Sequence, residues 1–188
     1  MDSVKTVGFS YPFSKKEFKH KNFVFKTYLP KDSIRTFYVL LNTKNYAGFT
    51  SYVREEISFT NYALTEYILL GFYYGVLIIM AIYNLFLYFN TKDRVYLYYV
   101  VYTLCCALNS FSEDGLGFQY IWPNYPIVNQ FVSFFTPALL LTAFVFYSFS
   151  FLNLKHKATV YSNIIVGFYF LYLFVFIVER IVFDSQRI

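Results

Sequence analysis

Four long apolar stretches constrain this chain more than anything else in it. The hydrocarbon core of a bilayer is about 30 Å thick, and a helix needs about 20 mostly apolar residues to cross it. "EYILLGFYYGVLIIMAIYNLFLYF" (Glu66 to Phe89), "VYLYYVVYTLCCALNSF" (Val95 to Phe111), "FVSFFTPALLLTAFVFYSFSFL" (Phe131 to Leu152) and "VYSNIIVGFYFLYLFVFIVERIVF" (Val160 to Phe183) are the runs of that order. The second is the shortest and is interrupted by Tyr, Thr and Asn109. Of 188 residues, 57% are apolar and only 14% charged, a balance outside that of ordinary soluble domains. Tyrosines crowd the ends of several runs, where a ring with a polar tip suits headgroup depth. The sequence predicts a mostly α membrane protein, a short N-terminal β segment followed by four transmembrane helices, with the lipid bilayer as its first partner.

Direction follows from Lys and Arg in short loops, which are retained on the cytoplasmic side. "NTKDR" joins the first two runs through Lys92 and Arg94, and "NLKHK" joins the last two through Lys155 and Lys157, whereas the loop from Ser112 to Gln130 has neither residue type. Ten of the sixteen basic residues lie in Met1 to Thr65, but long segments count little, and just before the first run Arg54 is set against Glu55 and Glu56. The N-terminal third is therefore expected outside an inner (cytoplasmic) membrane. An exported segment needs an apolar signal, and none precedes it here, so the chain reads as part of a longer protein.

Within that third, "NFVFKTYL" and "IRTFYVLLN" are rich in strand-forming residues and flank the turn-like "LPKDS", which predicts a hairpin. "SYVREEISF" (Ser51 to Phe59) is a candidate third strand. Three strands leave open edges and a half-covered face, so a partial β-sandwich is expected.

Catalytic chemistry has little to work with. The chain has no phosphate loop, nucleophile elbow or nucleotide fingerprint, and away from the run ends the few polar residues are Asn, Ser and Thr rather than acids or histidines. Cys105 and Cys106 are adjacent within an apolar run and read as small buried side chains. His20 and His156 have no acid or Cys at ligand spacing. No enzyme activity, metal, cofactor or nucleic-acid partner is expected of this segment.

The connecting loop "EDGLGFQYIWPNYP" (Glu113 to Pro126) is the most unusual stretch. Gly115, Gly117, Pro123 and Pro126 permit a helix to stop, turn and restart, while Phe118, Tyr120 and Trp122 suit an interface. One reading is an interfacial re-entry loop. The other is a surface on which the outer domain docks and relays its movement, with Asp114 and Gln119 as polar contacts. Elsewhere, Asn84 in the first run calls for a hydrogen bond to a neighbouring helix, and Gly71 with Gly75 forms a GxxxG pattern compatible with close helix approach or a homodimer. Pro137 is expected to kink the third run. Glu179 and Arg180 are expected at headgroup depth, their side chains snorkelling.

The order of these features resembles the bacterial seven-transmembrane receptors with diverse intracellular signalling modules. The resemblance rests on Gly71, Tyr74, Gly75, Tyr83 and Asn84 in the first run, on Asp93, Arg94, Tyr96, Tyr98 and Tyr99 in the turn and second run, and on Asp114, Gly115, Gly117, Trp122 and Pro123 in the loop. Residues 1–65 are similar to the closing part of that family's extracellular β-sandwich sensor domain, with a Pro-Phe pair, an "LP" turn and an "FYV" strand. Residues 66–188 then correspond to the first four of seven helices. The resemblance implies a sensory receptor for an extracellular small molecule such as a carbohydrate, coupled to a cytoplasmic histidine kinase, diguanylate cyclase or phosphatase. Two other classes compete: a four-helix membrane scaffold that assembles with partners, and, less well matched, a transporter, which would place ionisable groups or broken helices at the midplane.

Overall fold

The computed structural model describes residues 4–42, 50–153 and 159–185. Among the described residues five α-helices follow an irregular N-terminal segment: α1 (Glu56–Thr91), α2 (Arg94–Glu113), α3 (Leu116–Tyr120), α4 (Pro126–Phe151) and α5 (Thr159–Ser185). Three of them, α1, α2 and α4, are long and apolar enough to cross a membrane, and α5 has a shorter apolar stretch over Val166–Val178 among its described residues. The protein is a multi-pass membrane protein.

α1 has 36 residues, about 54 Å at 1.5 Å per residue, which exceeds a bilayer core of about 30 Å. Its apolar run begins at Glu66, so Glu56 to Thr65 extends past that run. In the long helix only Ala81 is buried. Ile68, Leu69, Phe72, Ile79, Ile82 and Phe86 are all exposed in the isolated chain, an apolar surface suited to lipid or to further helices rather than to water. The helix ends at Lys92, which takes the left-handed conformation (φ 58°) and donates its N–H to the Tyr88 carbonyl. Asp93 then caps α2, its carboxylate accepting from the Val95 N–H at 3.0 Å. This two-residue turn folds α2 back along α1.

α2 packs against both α1 and α4, and α4 packs against α5. That position accounts for the low hydropathy of the second run: of the three spanning helices α2 is the least apolar and the most buried by its neighbours. Cys105 is among its buried residues. Toward the α1–α2 turn, rings lock α2 to α4. Tyr102 stacks on Tyr147 (5.8 Å between centroids, 8° between planes), Tyr99 meets Tyr147 edge-on at 5.5 Å, and Tyr98 stacks on Phe146. Phe134 stacks on Phe176 at 4.3 Å, and the Thr142 and Tyr169 hydroxyls lie 3.0 Å apart, joining α4 to α5.

The N-terminal third differs from expectation. Among the described residues no strand forms, although the turn predicted between the two strand-like stretches is present: Asp32 has φ 58° and the Ser33 hydroxyl donates to the Pro30 carbonyl at 2.7 Å. A lone hairpin without a sheet or helix to cover a face is marginal at best, and Ile34, Tyr38 and Leu40 here are almost fully exposed. The candidate strand from Ser51 to Phe59 is corrected: its second half is the first turn of α1, which starts after Glu55. Glu56 places negative charge at a helix N-terminus, a favourable position. The side chains of Glu179 and Arg180, and the loop residues Lys155, His156 and Lys157, lie outside the described residues.

Candidate functional site: the junction between the N-terminal segment and the α2–α4 connection

The loop that drew attention in the sequence is built as a compact corner. α2 stops at Glu113, Gly115 adopts φ 74° in the left-handed region that glycine tolerates without strain, and the five-residue α3 follows. Gly117 serves a different purpose. A Cβ there would collide with the Trp122 indole, whose Cε2 lies only 3.1 Å from that position. Glycine therefore lets the indole fold onto α3. The Trp122 Nε1–H donates to the Asn129 side-chain oxygen at 3.0 Å, both residues being buried, and Pro126 opens α4 at a position that needs no backbone donor. Trp122 is thus a core residue and not the interfacial ring its sequence context implied.

Onto this corner packs the start of the chain. Phe13 is buried against Phe118 and Trp122, with Val132 of α4 beside them, and Phe118 is completely buried. Phe118 receives Phe13 edge-on at 5.6 Å and Phe9 at 5.8 Å. The Phe13 backbone N–H donates to the Pro123 carbonyl at 2.8 Å. Residues far apart in sequence thereby share one small core, which places the N-terminal segment and the α2–α4 connection on the same face of the bundle.

A polar layer lies beside this wedge. The Lys21 N–H donates to the Tyr67 hydroxyl of α1 at 3.2 Å, and that hydroxyl donates to Gln119 Oε1 at 2.8 Å. Gln119 thus connects with the N-terminal segment through one side chain of α1. Asp114 accepts from the Tyr74 hydroxyl of α1 at 2.6 Å. Lys21 Nζ pairs with Glu66 Oε1 at 2.9 Å, and His20, almost fully buried, packs edge-on against Phe59 and Tyr67 with Nε2 3.6 Å from Glu66 Oε2. Lys16 is buried with its ammonium against the His20 and Lys21 carbonyls (3.0 and 2.7 Å) and over the Phe13 and Phe23 rings. Burial pushes its amine down to about 8.

The remaining residues singled out from the sequence lie away from this junction. Asn84 donates to the Met80 carbonyl of its own helix at 2.8 Å. Side-chain bonding four residues back satisfies one of its amide hydrogens within α1. Among the described residues nothing lies within 4 Å of a Cβ built on Gly71 or Gly75. Pro137 lies inside α4, which continues to Phe151. Phe13, Lys16, His20, Glu66 and Tyr67 were not marked in advance as junction residues.

Residues 66–188 match the family model described as 7TM diverse intracellular signalling, and residues 2–55 match the one described as 7TMR-DISM extracellular 2. The chain belongs to the 7TMR-DISM family. Neither a curated protein nor a solved structure matches it. The boundary between the two 7TMR-DISM matches falls where α1 begins, so the junction joins the stretch matching the extracellular model to the stretch matching the membrane model. These are membrane receptor domains of a sensory, signal-transducing family.

Proposed function

We propose that this chain is the sensing-to-membrane part of a receptor that couples binding of an extracellular small molecule, such as a carbohydrate, to a cytoplasmic signalling module. In this reading residues 1–65 close the outer sensor domain and residues 66–188 supply the first four helices of the membrane region. The N-terminal segment lies outside an inner membrane, and the α1–α2 turn with Lys92 and Arg94 lies inside. One observation carries the reading: Phe13 is wedged between Phe118 and Trp122, so a shift of the outer domain must either move the α2–α4 corner or break a buried core. Tightly packed contacts of this kind pass on displacement because they have few intermediate arrangements. Asp114, Gly115, Gln119 and Trp122 act as the corner's supports.

The test uses the full chain in lipid nanodiscs, with Cys105 and Cys106 replaced by Ala and spin labels at Lys92 and Phe151. Phe13→Ala is expected to change the distance distribution between the inner ends of α1 and α4. An unchanged distribution would sink the relay. Side is tested separately, by reacting single cysteines at Lys15 and Lys92 with an impermeant maleimide on intact cells; only the first is expected to react.

A further inference from the structure

His20 is the junction group whose ordinary pKa lies closest to neutrality. Its ring is held between the Phe59 and Tyr67 rings of α1 and is about 1% exposed. Its Nδ1 accepts the Asn22 N–H at 3.1 Å, which fixes the neutral ring's hydrogen on Nε2. That nitrogen faces Glu66 Oε2 at 3.6 Å, beyond hydrogen-bond reach, and neither atom has another partner among the described residues.

We propose that His20 makes the junction a proton-sensitive latch: acidification of the outer compartment detaches the Phe18–Asn22 turn from α1, giving the receptor a second input besides its ligand. The inference rests on the relay reading above. Its sign comes from where the proton must go. With Nε2 already carrying hydrogen, the incoming proton lands on Nδ1, directly against the Asn22 N–H. One hydrogen bond is lost and two donors face each other.

The charges around the ring do not offset this. From its own segment His20 faces Lys16, whose Nζ is bonded to the His20 carbonyl, and Lys21; from α1 it faces Glu66 and the Tyr67 hydroxyl. Glu66 is already paired with Lys21 at 2.9 Å, so an imidazolium would be a second cation sharing one carboxylate. Burial lowers the His20 pKa, an effect that Glu66 opposes and the two lysines reinforce. The docked state therefore binds fewer protons than the released state. Docking is at full strength above the ordinary imidazole value of about 6.5 and weakens as pH falls below it.

The experiment uses spin labels at Lys19 and Thr60 on the cysteine-substituted full chain in nanodiscs, scanned from pH 8 to pH 5. The expected result is one short distance at pH 8 that gives way to a broad, longer distribution with a midpoint below about 6.5. His20→Gln, whose amide oxygen can accept the Asn22 N–H and cannot titrate, is expected to keep the short distance throughout. If that variant fails to dock even at pH 8, the imidazole signal of His20 followed by NMR in a His156→Gln background decides: titration at or above about 6.5 overturns the latch, and titration below it supports the latch. A distance that does not change with pH, or a release that persists in a docked His20→Gln protein, also overturns it. A flat pH profile while Phe13→Ala still moves the inner helix ends removes the latch and leaves the relay. Release in acid while Phe13→Ala leaves the inner ends unmoved removes the relay and, with it, the second input.

Discussion

The two ends of the bundle are held together by different means. At the end that carries the α2–α4 corner, single residues hold a few specific partners: Phe13 on Phe118, Trp122 over Gly117 and bonded to Asn129, Tyr67 bridging Lys21 and Gln119. At the end nearer the α1–α2 turn, Tyr98, Tyr99 and Tyr102 of α2 meet Phe144, Phe146 and Tyr147 of α4 in overlapping ring contacts along the helices. Loss of one ring there leaves others in place. The corner end is a joint and the opposite end is a seam. A joint can have two well-defined states, whereas a redundant seam tolerates change without switching.

The contrast is attacked most directly at Phe118. It is fully buried and touches Phe9 and Phe13, so Phe118→Ala removes the centre of the wedge and leaves a cavity. A loss of about 3–5 kcal/mol is expected, the range for a buried Phe truncated to Ala. The readout is the unfolding midpoint in mild detergent, together with a red shift of emission from Trp122, the only tryptophan. A loss no larger than that from a seam residue would erase the distinction between the two ends.

Gly117→Ala comes next. The added methyl meets the Trp122 indole, and the ring can yield only by giving up its bond to Asn129. The expected cost is about 1–3 kcal/mol, as for overpacking elsewhere. It should appear as faster quenching of Trp122 by acrylamide, with the α2–α4 seam intact.

At the seam, Tyr147→Leu keeps most of the buried volume and removes the ring pairs with Tyr99 and Tyr102. The cost should be only about 0.5–1.5 kcal/mol, the value of ring geometry beyond area, because Tyr98 on Phe146 and Tyr102 on Phe144 remain. A larger loss in the detergent unfolding midpoint would show the seam to be a second joint.

The same contrast decides what the sequence could reveal. The seam and the spanning helices were legible because apolar runs and tyrosine-rich stretches are local patterns, read within a few turns. α1 still began ten residues earlier than its apolar run, since Glu56 to Thr65 is helical without being lipid-compatible. The oddity of the corner was legible through Gly115, Gly117, Trp122 and Pro123, but the choice between an interfacial loop and a docking surface was not. Trp122 has the same apolar body and polar edge whether it lies at an interface or in a core, and only Asn129 and Gly117 decide between them. His20 and Lys16 gave no signal because their burial depends on rings from α1 and on carbonyls whose direction no local pattern encodes. The strand-like stretches fail for a related reason: strand propensity is realised against a covering surface, and the described residues bring none to Ile34 or Tyr38.

The smallest effect is predicted on the outward face of α1, and there the comparison is sharpened by expecting almost nothing. Asn84→Leu removes a bond to the Met80 carbonyl that the backbone makes redundant, and Gly75→Ala adds a methyl with nothing within 4 Å. Within one chain each should change the unfolding midpoint by less than about 0.5 kcal/mol, the usual range for substitutions that touch no packed neighbour. Gly75→Leu extends the test to neighbouring molecules. If this face meets another copy or a further helix, the bulkier side chain separates them, lowering the dimer fraction in a membrane-embedded crosslinking assay while the folding midpoint of the isolated chain stays fixed. If it meets only lipid, neither quantity moves, and the GxxxG spacing of Gly71 and Gly75 has no partner to serve.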